Sequence, residues 1–416
     1  MRAVQQKLLP ARICPLPNPK VPVGTVCALG LTQIIGYGSL YYSFSILAPG
    51  IAADFGLTLA QVFAVFSVSL FAGGLTAPYI GRQLDRIGAA TVMAIGSVLS
   101  ALTLILCAWS PSTAIFALAI VLLEMSSGMV QYQAAFAALV EAEPRSASRS
   151  ITYLTLIAGF ASTIFWPISA TLLSYMSWRE IYLAYAGLNL FVCLPLHLWI
   201  RRTGKAAVAG GQKPLRESVA GAIPPERRRG AVVIVSAVFA FLGFTLTSML
   251  AHMVPMLGTL GLGSAAVVIG SLFGPAQVLS RLINMIFGTR LAPPGLAVIS
   301  AALMVFGIVI LALSGGQLPG AVAFSLCLGL GSGINSIAQG SLPLYLFGSE
   351  GYGALTGKMA AARLVAGAAA PFVFAAAMEQ LGISASLLAN AALGSIGIVA
   401  FAAVAVAAKQ TADTSN

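Results

Sequence analysis

The chain has 416 residues, 59% of them apolar and only 8% charged, with mean hydropathy +0.95, whereas soluble domains carry about a quarter charged residues. That composition excludes an ordinary water-soluble fold. The formal charge of +11 must therefore be located along the chain before it is read as a nucleic-acid footprint.

Residues 1–21 hold Pro10, Pro15, Pro17 and Pro19 without a continuous apolar run, so a cytoplasmic lead-in is expected there rather than a cleavable signal peptide. Apolar segments long enough to cross a hydrocarbon core of about 30 Å follow at 22–48, 57–80, 88–109, 112–140, 150–174 and 178–200. A second set lies at 231–257, 265–289, 294–314, 319–346, 353–378 and 382–408. Residues 201–230, polar and carrying Arg227-Arg228-Arg229, form the expected cytoplasmic central loop, and 409–416 a cytoplasmic tail. The expected fold is an all-α membrane protein with twelve transmembrane helices in two six-helix halves, 22–200 and 231–408. The five cysteines (Cys14, Cys27, Cys107, Cys193, Cys327) are scattered and form no Cys-x-x-Cys, so neither a disulfide framework nor a metal site is expected.

With the N-terminus inside, all of the 22 basic residues except Arg179, Arg281 and Arg363 fall at cytoplasmic positions. This bias predicts an integral plasma-membrane protein (cell inner membrane in a bacterium) with both termini cytoplasmic. The excess charge is thus a topology signal, and no nucleic-acid partner is expected.

Between the second and third segments stands Gly81-Arg82-Gln83-Leu84-Asp85-Arg86-Ile87-Gly88. Glycines permit a tight turn. Asp85 can accept hydrogen bonds from the N-terminus of a neighbouring helix, and Arg86 can pair with acids or lipid headgroups, so the loop reads as a gating latch built on Gly81, Asp85, Arg86 and Gly88. The pattern Gly81-x-x-x-Asp85-Arg86-x-Gly88, together with the six-plus-six layout, resembles the major facilitator superfamily. The corresponding second-half stretch, Gly288-Thr289-Arg290-Leu291-Ala292, lacks the acid. The resemblance implies two pseudo-symmetric halves that rock about a solute held near the bilayer midplane. No G-x-x-x-x-G-K-[ST] pattern occurs, so direct ATP drive is unsupported.

Ionisable residues inside a span are costly and mark functional sites by default. Arg281 shares a helix face with Gln277 and Asn284, and Arg363 lies about 15 Å into its span at about 1.5 Å per residue. An arginine fork binds a carboxylate through two parallel hydrogen bonds. The competing readings are pairing with Glu124, bonds to backbone carbonyls, or snorkelling of Arg363 to the interface. Basic residues in the eighth and eleventh spans are similar to those of the oxalate/formate exchangers, and the eighth-span arginine to that of the monocarboxylate transporters. The exchangers carry a lysine where this chain has Arg363.

Glu124, central in the fourth span with Ser127, Gly128 and Gln131 on its face, can carry a proton or simply neutralise a charge. Both readings stand. In the first span Gln33, Tyr37 and Tyr41 recur every four residues, their polar groups suited to a carboxylate and the rings to its carbon skeleton. In the tenth span Asn335 and Gln339 share a face. Amides and aromatics also serve as interhelical glue and interface residues. His197 and His252 lack metal-ligand companions and are read as packing residues. The stretch Gly159 to Pro167 only loosely resembles the motif of drug/proton antiporters.

The expected function is secondary active transport of a small organic anion, a mono- or dicarboxylate, as exchanger or proton symporter. The binding set is Arg281, Arg363, Tyr37, Tyr41, Gln33, Asn335, Gln339 and Gln277, with Glu124 as the proton-coupling candidate. The alternative is export of amphipathic drugs by proton antiport. No cofactor and no enzymatic centre are expected, a transporter-like sensor would use the same cavity, and a monomer in the lipid bilayer is favoured.

Overall fold

The computed structural model describes residues 21–209, 218–287 and 291–414. The expected lead-in (residues 1–20), the middle of the central loop, Gly288-Thr289-Arg290 and the last two residues lie outside these ranges. Among the described residues there is no strand, and twelve helices are long and apolar enough to cross a membrane. They are α1 (Val23–Phe55), α2 (Leu59–Ile87), α3 (Ala89–Ala108), α4 (Thr113–Ala142), α5 (Ala147–Leu173) and α6 (Trp178–Gly204), then α7 (Pro225–Leu262), α8 (Ala265–Phe287), α9 (Pro293–Ser314), α10 (Leu318–Phe347), α11 (Tyr352–Leu381) and α12 (Ile383–Ala408).

Local chemistry sets several ends. Thr58 and Gln61 make a reciprocal capping box at the start of α2, as do Ser177 and Glu180 at the start of α6. Gly56 closes α1 and Gly315 closes α9 in the left-handed conformation. Three expected boundaries are corrected. Helix α1 runs to Phe55 rather than to residue 48, because Gly56 and not Pro49 ends it. Residues Gly81–Ile87, expected as a loop, are the last two turns of α2, since nothing in that run breaks a helix and the turn contracts to Gly88 (φ +89°). Helix α7 starts at Pro225 rather than 231, because proline in the first turn needs no donor. The Arg227-Arg228-Arg229 run therefore belongs to a helix.

Six of the spans are interrupted. Helices α1 and α6 contain π-helical turns at Gly38–Tyr42 and Asn189–Cys193, and α7 kinks at Gly261 (φ +91°) in its last turn. Helix α4 breaks between Ser127 and Tyr132, α5 between Ala158 and Ala161, and α8 at Leu272. Irregular backbone at such depth survives only where other groups satisfy it or where it lines a cavity.

One apolar core is drawn from α7–α12, around Phe239, Met304 and Phe324. Two others come from α1–α6, around Phe116 and Trp178 at one end and around Met93 and Phe136 at the other. Leu344 and Tyr352 join the last of these from the other bundle. The end of the central loop lies along the turn between α10 and α11: Ala222 donates to the Tyr345 carbonyl, Ile223 to Leu346, and Ser349 to Val219, each at 3.0 Å.

The close approaches between bundles gather toward one end of the molecule. Gly74 packs on Leu364 and Val365, Gly81 on Gly353 and Gly357, and Gly340 on Phe136 and Ile151. The far segments Ser43–Phe55 of α1 and Ala161–Leu173 of α5 pack on their own bundle. There, Arg179 binds Asp54 (3.4 Å), the carbonyls of Ala108 (2.8 Å) and Ser110 (2.9 Å), and the face of Trp178. These contacts all stay within α1–α6.

Candidate functional site

A cavity of about 220 Å³ lies between the bundles. From α7–α12 it is lined by Gln277, Arg281, Asn335, Gln339 and Arg363, and from α1–α6 by Tyr37, Tyr42, Glu124, Gln131 and Tyr132. Six of the eight expected binding residues, and Glu124, thus surround one space. Glu124 is the only acid among the described lining residues, against two arginines. Neither arginine forms an ion pair with it.

The two arginines differ. Arg281 is 3% exposed; its Nε donates to Ser336 Oγ at 3.2 Å and its Nη1 to the Thr155 carbonyl of α5 at 3.1 Å. Beside it, Asn284 Nδ2 reaches Thr152 Oγ1 at 3.4 Å, so α8 is tied twice to α5. Arg363 is half-buried, with its stem against Gly243, and makes no hydrogen bond to protein among the described residues. Tyr37 and Tyr41 both lie within electrostatic reach of it.

Two expected residues stand elsewhere. Gln33 is fully buried and donates through Nε2 to the Val130 carbonyl at 2.6 Å. That carbonyl lies in the break of α4, so the Gln33 amide seals broken backbone instead of facing the cavity. Tyr41 is displaced by the π-turn at Gly38–Tyr42. Four-residue spacing puts Tyr37 and Tyr41 on one face of an α-helix, but an i→i+5 turn puts Tyr37 and Tyr42 there. Tyr42 accordingly lines the cavity with its ring centroid 6.2 Å from that of Tyr37, while Tyr41 packs against Tyr42 (5.3 Å) and Phe66 (5.7 Å).

Sequence reasoning also missed Tyr132, whose ring meets Tyr37 at 4.7 Å and stacks on Phe136 at 5.1 Å. The break at Gly128 turns it inward, and Gly128 followed by two polar residues within four positions was the available signal. On the other wall Gln277 Nε2 donates to Ser332 Oγ at 2.9 Å. Asn335 is 2% exposed and its Oδ1 has no partner among the described residues.

At the closed end Asp85 accepts from the backbone N–H groups of Gly353 (2.8 Å) and Ala354 (2.7 Å). These are unpaired donors in the first turn of α11, where the helix dipole favours a carboxylate. Gly81 lets α2 approach that turn, and Gly88 makes the turn into α3, whose first N–H, on Ala89, donates to Glu141 Oε2 at 2.9 Å. Arg86 is exposed. His252 bonds the Pro371 carbonyl (2.8 Å) and His197 bonds Ser97 Oγ (2.8 Å), both within their own bundle. The described cysteines are free, and no cluster of metal-ligating side chains occurs among the described residues.

The Major Facilitator Superfamily family model matches residues 29–371. Among curated proteins, the multidrug resistance protein MdtL of Shigella flexneri serotype 5b (strain 8401) is 25% identical over 198 residues, 46% of this chain and 49% of that one. The chain thus aligns with about half the length of that relative. Solved structures give the same fold at low identity. The human organic anion transporter MFSD10 (TETRAN) superposes with TM-score 0.67 at 17% identity, covering 91% of this chain and 98% of that one. The proton:xylose symporter XylE, bound to 6-bromo-6-deoxy-D-glucose, gives 0.69 at 13%, covering 91% and 95%. FucP in the outward conformation gives 0.67 at 14%, covering 91% and 98%. Members of the family carry small molecules, some of them together with protons, and are not enzymes. The match along most of its length establishes that this chain belongs to the major facilitator superfamily and is a membrane transporter.

Proposed function

We propose that the chain transports a small organic anion, a mono- or dicarboxylate, by alternating access, as an exchanger or proton symporter. The observation that carries this reading is the unpaired Arg363 at the cavity wall, with a second arginine and a single acid around the same space. Burying an unpaired cation is costly, and an anion that binds it relieves that cost. Tyr37, Tyr42 and Tyr132 supply hydroxyls and ring faces for the carbon skeleton, while Gln277, Asn335 and Gln339 supply amides opposite. A cavity of about 220 Å³ suits a small solute. Glu124 is the group proposed to carry the coupled proton.

The charge bias puts both termini in the cytoplasm, so the end held by Asp85 faces inward and the cavity faces out. We read the chain as a monomer in the plasma membrane with no nucleic-acid partner. One of the similar structures is that of an organic anion transporter, which agrees with the reading, though at that identity the likeness shows only the fold.

The test is counterflow in proteoliposomes. Carboxylate-dependent exchange should be lost in Arg363→Ala and Arg281→Ala, and full activity in both would sink the assignment. A second reading, proton-driven export of amphipathic compounds, is favoured by the partial match to MdtL. It predicts efflux of such compounds from intact cells that is unaffected by Arg363→Ala.

A further inference from the structure

Arg281 spends two of its five N–H groups within the protein. One of them reaches across the bundles to a main-chain carbonyl at the break of α5. The approach is available because residue 159 is glycine: a Cβ there would fall on Arg281 Nη1. Thr155 O already accepts from Gly159 N at 3.0 Å, so the guanidinium takes its second lone pair. Nη2 has no bond to protein among the described residues, and the side chain lines the cavity at its closed end. A single guanidinium therefore both holds α8 to α5 and faces the space where a solute would sit.

We propose that Arg281 is a releasable brace: its bond to the Thr155 carbonyl holds the cavity shut at the Asp85 end, and an anion entering the cavity competes for the same guanidinium and frees α5. A carboxylate is the stronger partner, because its hydrogen bonds to arginine join two charges and can be bidentate, whereas the carbonyl is neutral and takes one. Loading and unlocking become one event. The empty carrier stays braced facing outward and turns inward slowly, so exchange of an internal anion for an external one outruns net efflux. This step rests on the anion reading above and selects exchange from its two modes.

Hydrogen–deuterium exchange on the purified, lipid-reconstituted chain tests the brace without any ligand. Arg281→Gln and Gly159→Ala should each raise backbone exchange at residues 147–158 more than tenfold while leaving residues 89–108 unchanged. Arg281→Lys, which keeps a charge but has no fork to span Ser336 and Thr155, should raise it by a smaller factor. Protection at 147–158 equal to wild type in both Arg281 variants would overturn the brace.

The release step is tested on the wild type with oxalate, pyruvate and benzoate as probes. An anion that raises the thermal midpoint should also raise exchange at 147–158. From right-side-out vesicles it should leave more than tenfold faster into buffer holding the same anion than into anion-free buffer, a ratio that Gly159→Ala brings toward one. An anion that binds without loosening 147–158 overturns the release step alone. If none of the three binds, the anion reading fails with it, while the ligand-free comparison still decides the brace.

Discussion

Asp85 and Gly353 are 268 positions apart in the chain and joined by one hydrogen bond of 2.8 Å, from the Gly353 N–H to the Asp85 carboxylate, with Ala354 donating to the other oxygen at 2.7 Å. Each bond to a charged acceptor contributes about 1.5–3 kcal/mol. Asp85→Asn keeps the shape but loses the charge that the dipole of α11 favours, so the closed end should open more often. Maleimide labelling of Leu84→Cys, a position 3% exposed beneath the Gly353 turn, in a chain lacking its native cysteines, should accelerate about tenfold or more in the asparagine background. Equal labelling rates would show that Asp85 does not hold this end.

The π-turn in α1 gives a paired comparison. Tyr42→Phe removes a hydroxyl from the cavity wall, and Tyr41→Phe removes one outside it. The half-saturating concentration of a transported carboxylate should rise about tenfold in the first, since a hydrogen bond to a charged group is lost, and should stay unchanged in the second. The reverse ranking would restore the four-residue register.

Gln33→Leu should act on stability. It leaves the Val130 carbonyl unsatisfied in the break of α4, and polar contacts between membrane helices contribute about 1 kcal/mol. Titration with SDS should unfold the variant at lower detergent fraction, while the half-saturating solute concentration stays at the wild-type value.

Proton coupling through Glu124 has its own signature. Glu124→Gln should retain anion counterflow yet lose any acceleration by an imposed inward proton gradient. Counterflow abolished at all pH values would point instead to neutralisation of the arginines.

The layout was readable from sequence because apolar length and charge bias are one-dimensional quantities, and the described spans match the expected ones within a few residues except at α1, α2 and α7. Six of the eight expected binding residues reach the cavity for a similar reason: polar side chains inside spans have few other places to go. What was not readable depends on departures from regular helix. Tyr42 replaced Tyr41 because of one π-turn, and Tyr132 entered through a break in α4. Gln33 left the cavity to seal that break. None of these shifts leaves a periodic trace, since each depends on what a neighbouring helix offers to an unpaired carbonyl. The span-5 glycine carried no clear motif either; its place under the Arg281 guanidinium emerges only when the two bundles meet.

Several of the polar contacts that shut the cavity share a property with a consequence for how this protein can vary. The receiving partner is main chain each time: the N–H groups of Gly353 and Ala354 for Asp85, and the carbonyl of Thr155 for Arg281. No substitution on the receiving side can delete such a group, short of proline at an N–H. The receiving surfaces are consequently free to drift in side-chain identity so long as their glycines stay small, while Asp85 and Arg281 have no substitutes. Inherited variation in the closing end should therefore be lopsided, sparing one residue of each contact and tolerating many changes opposite it.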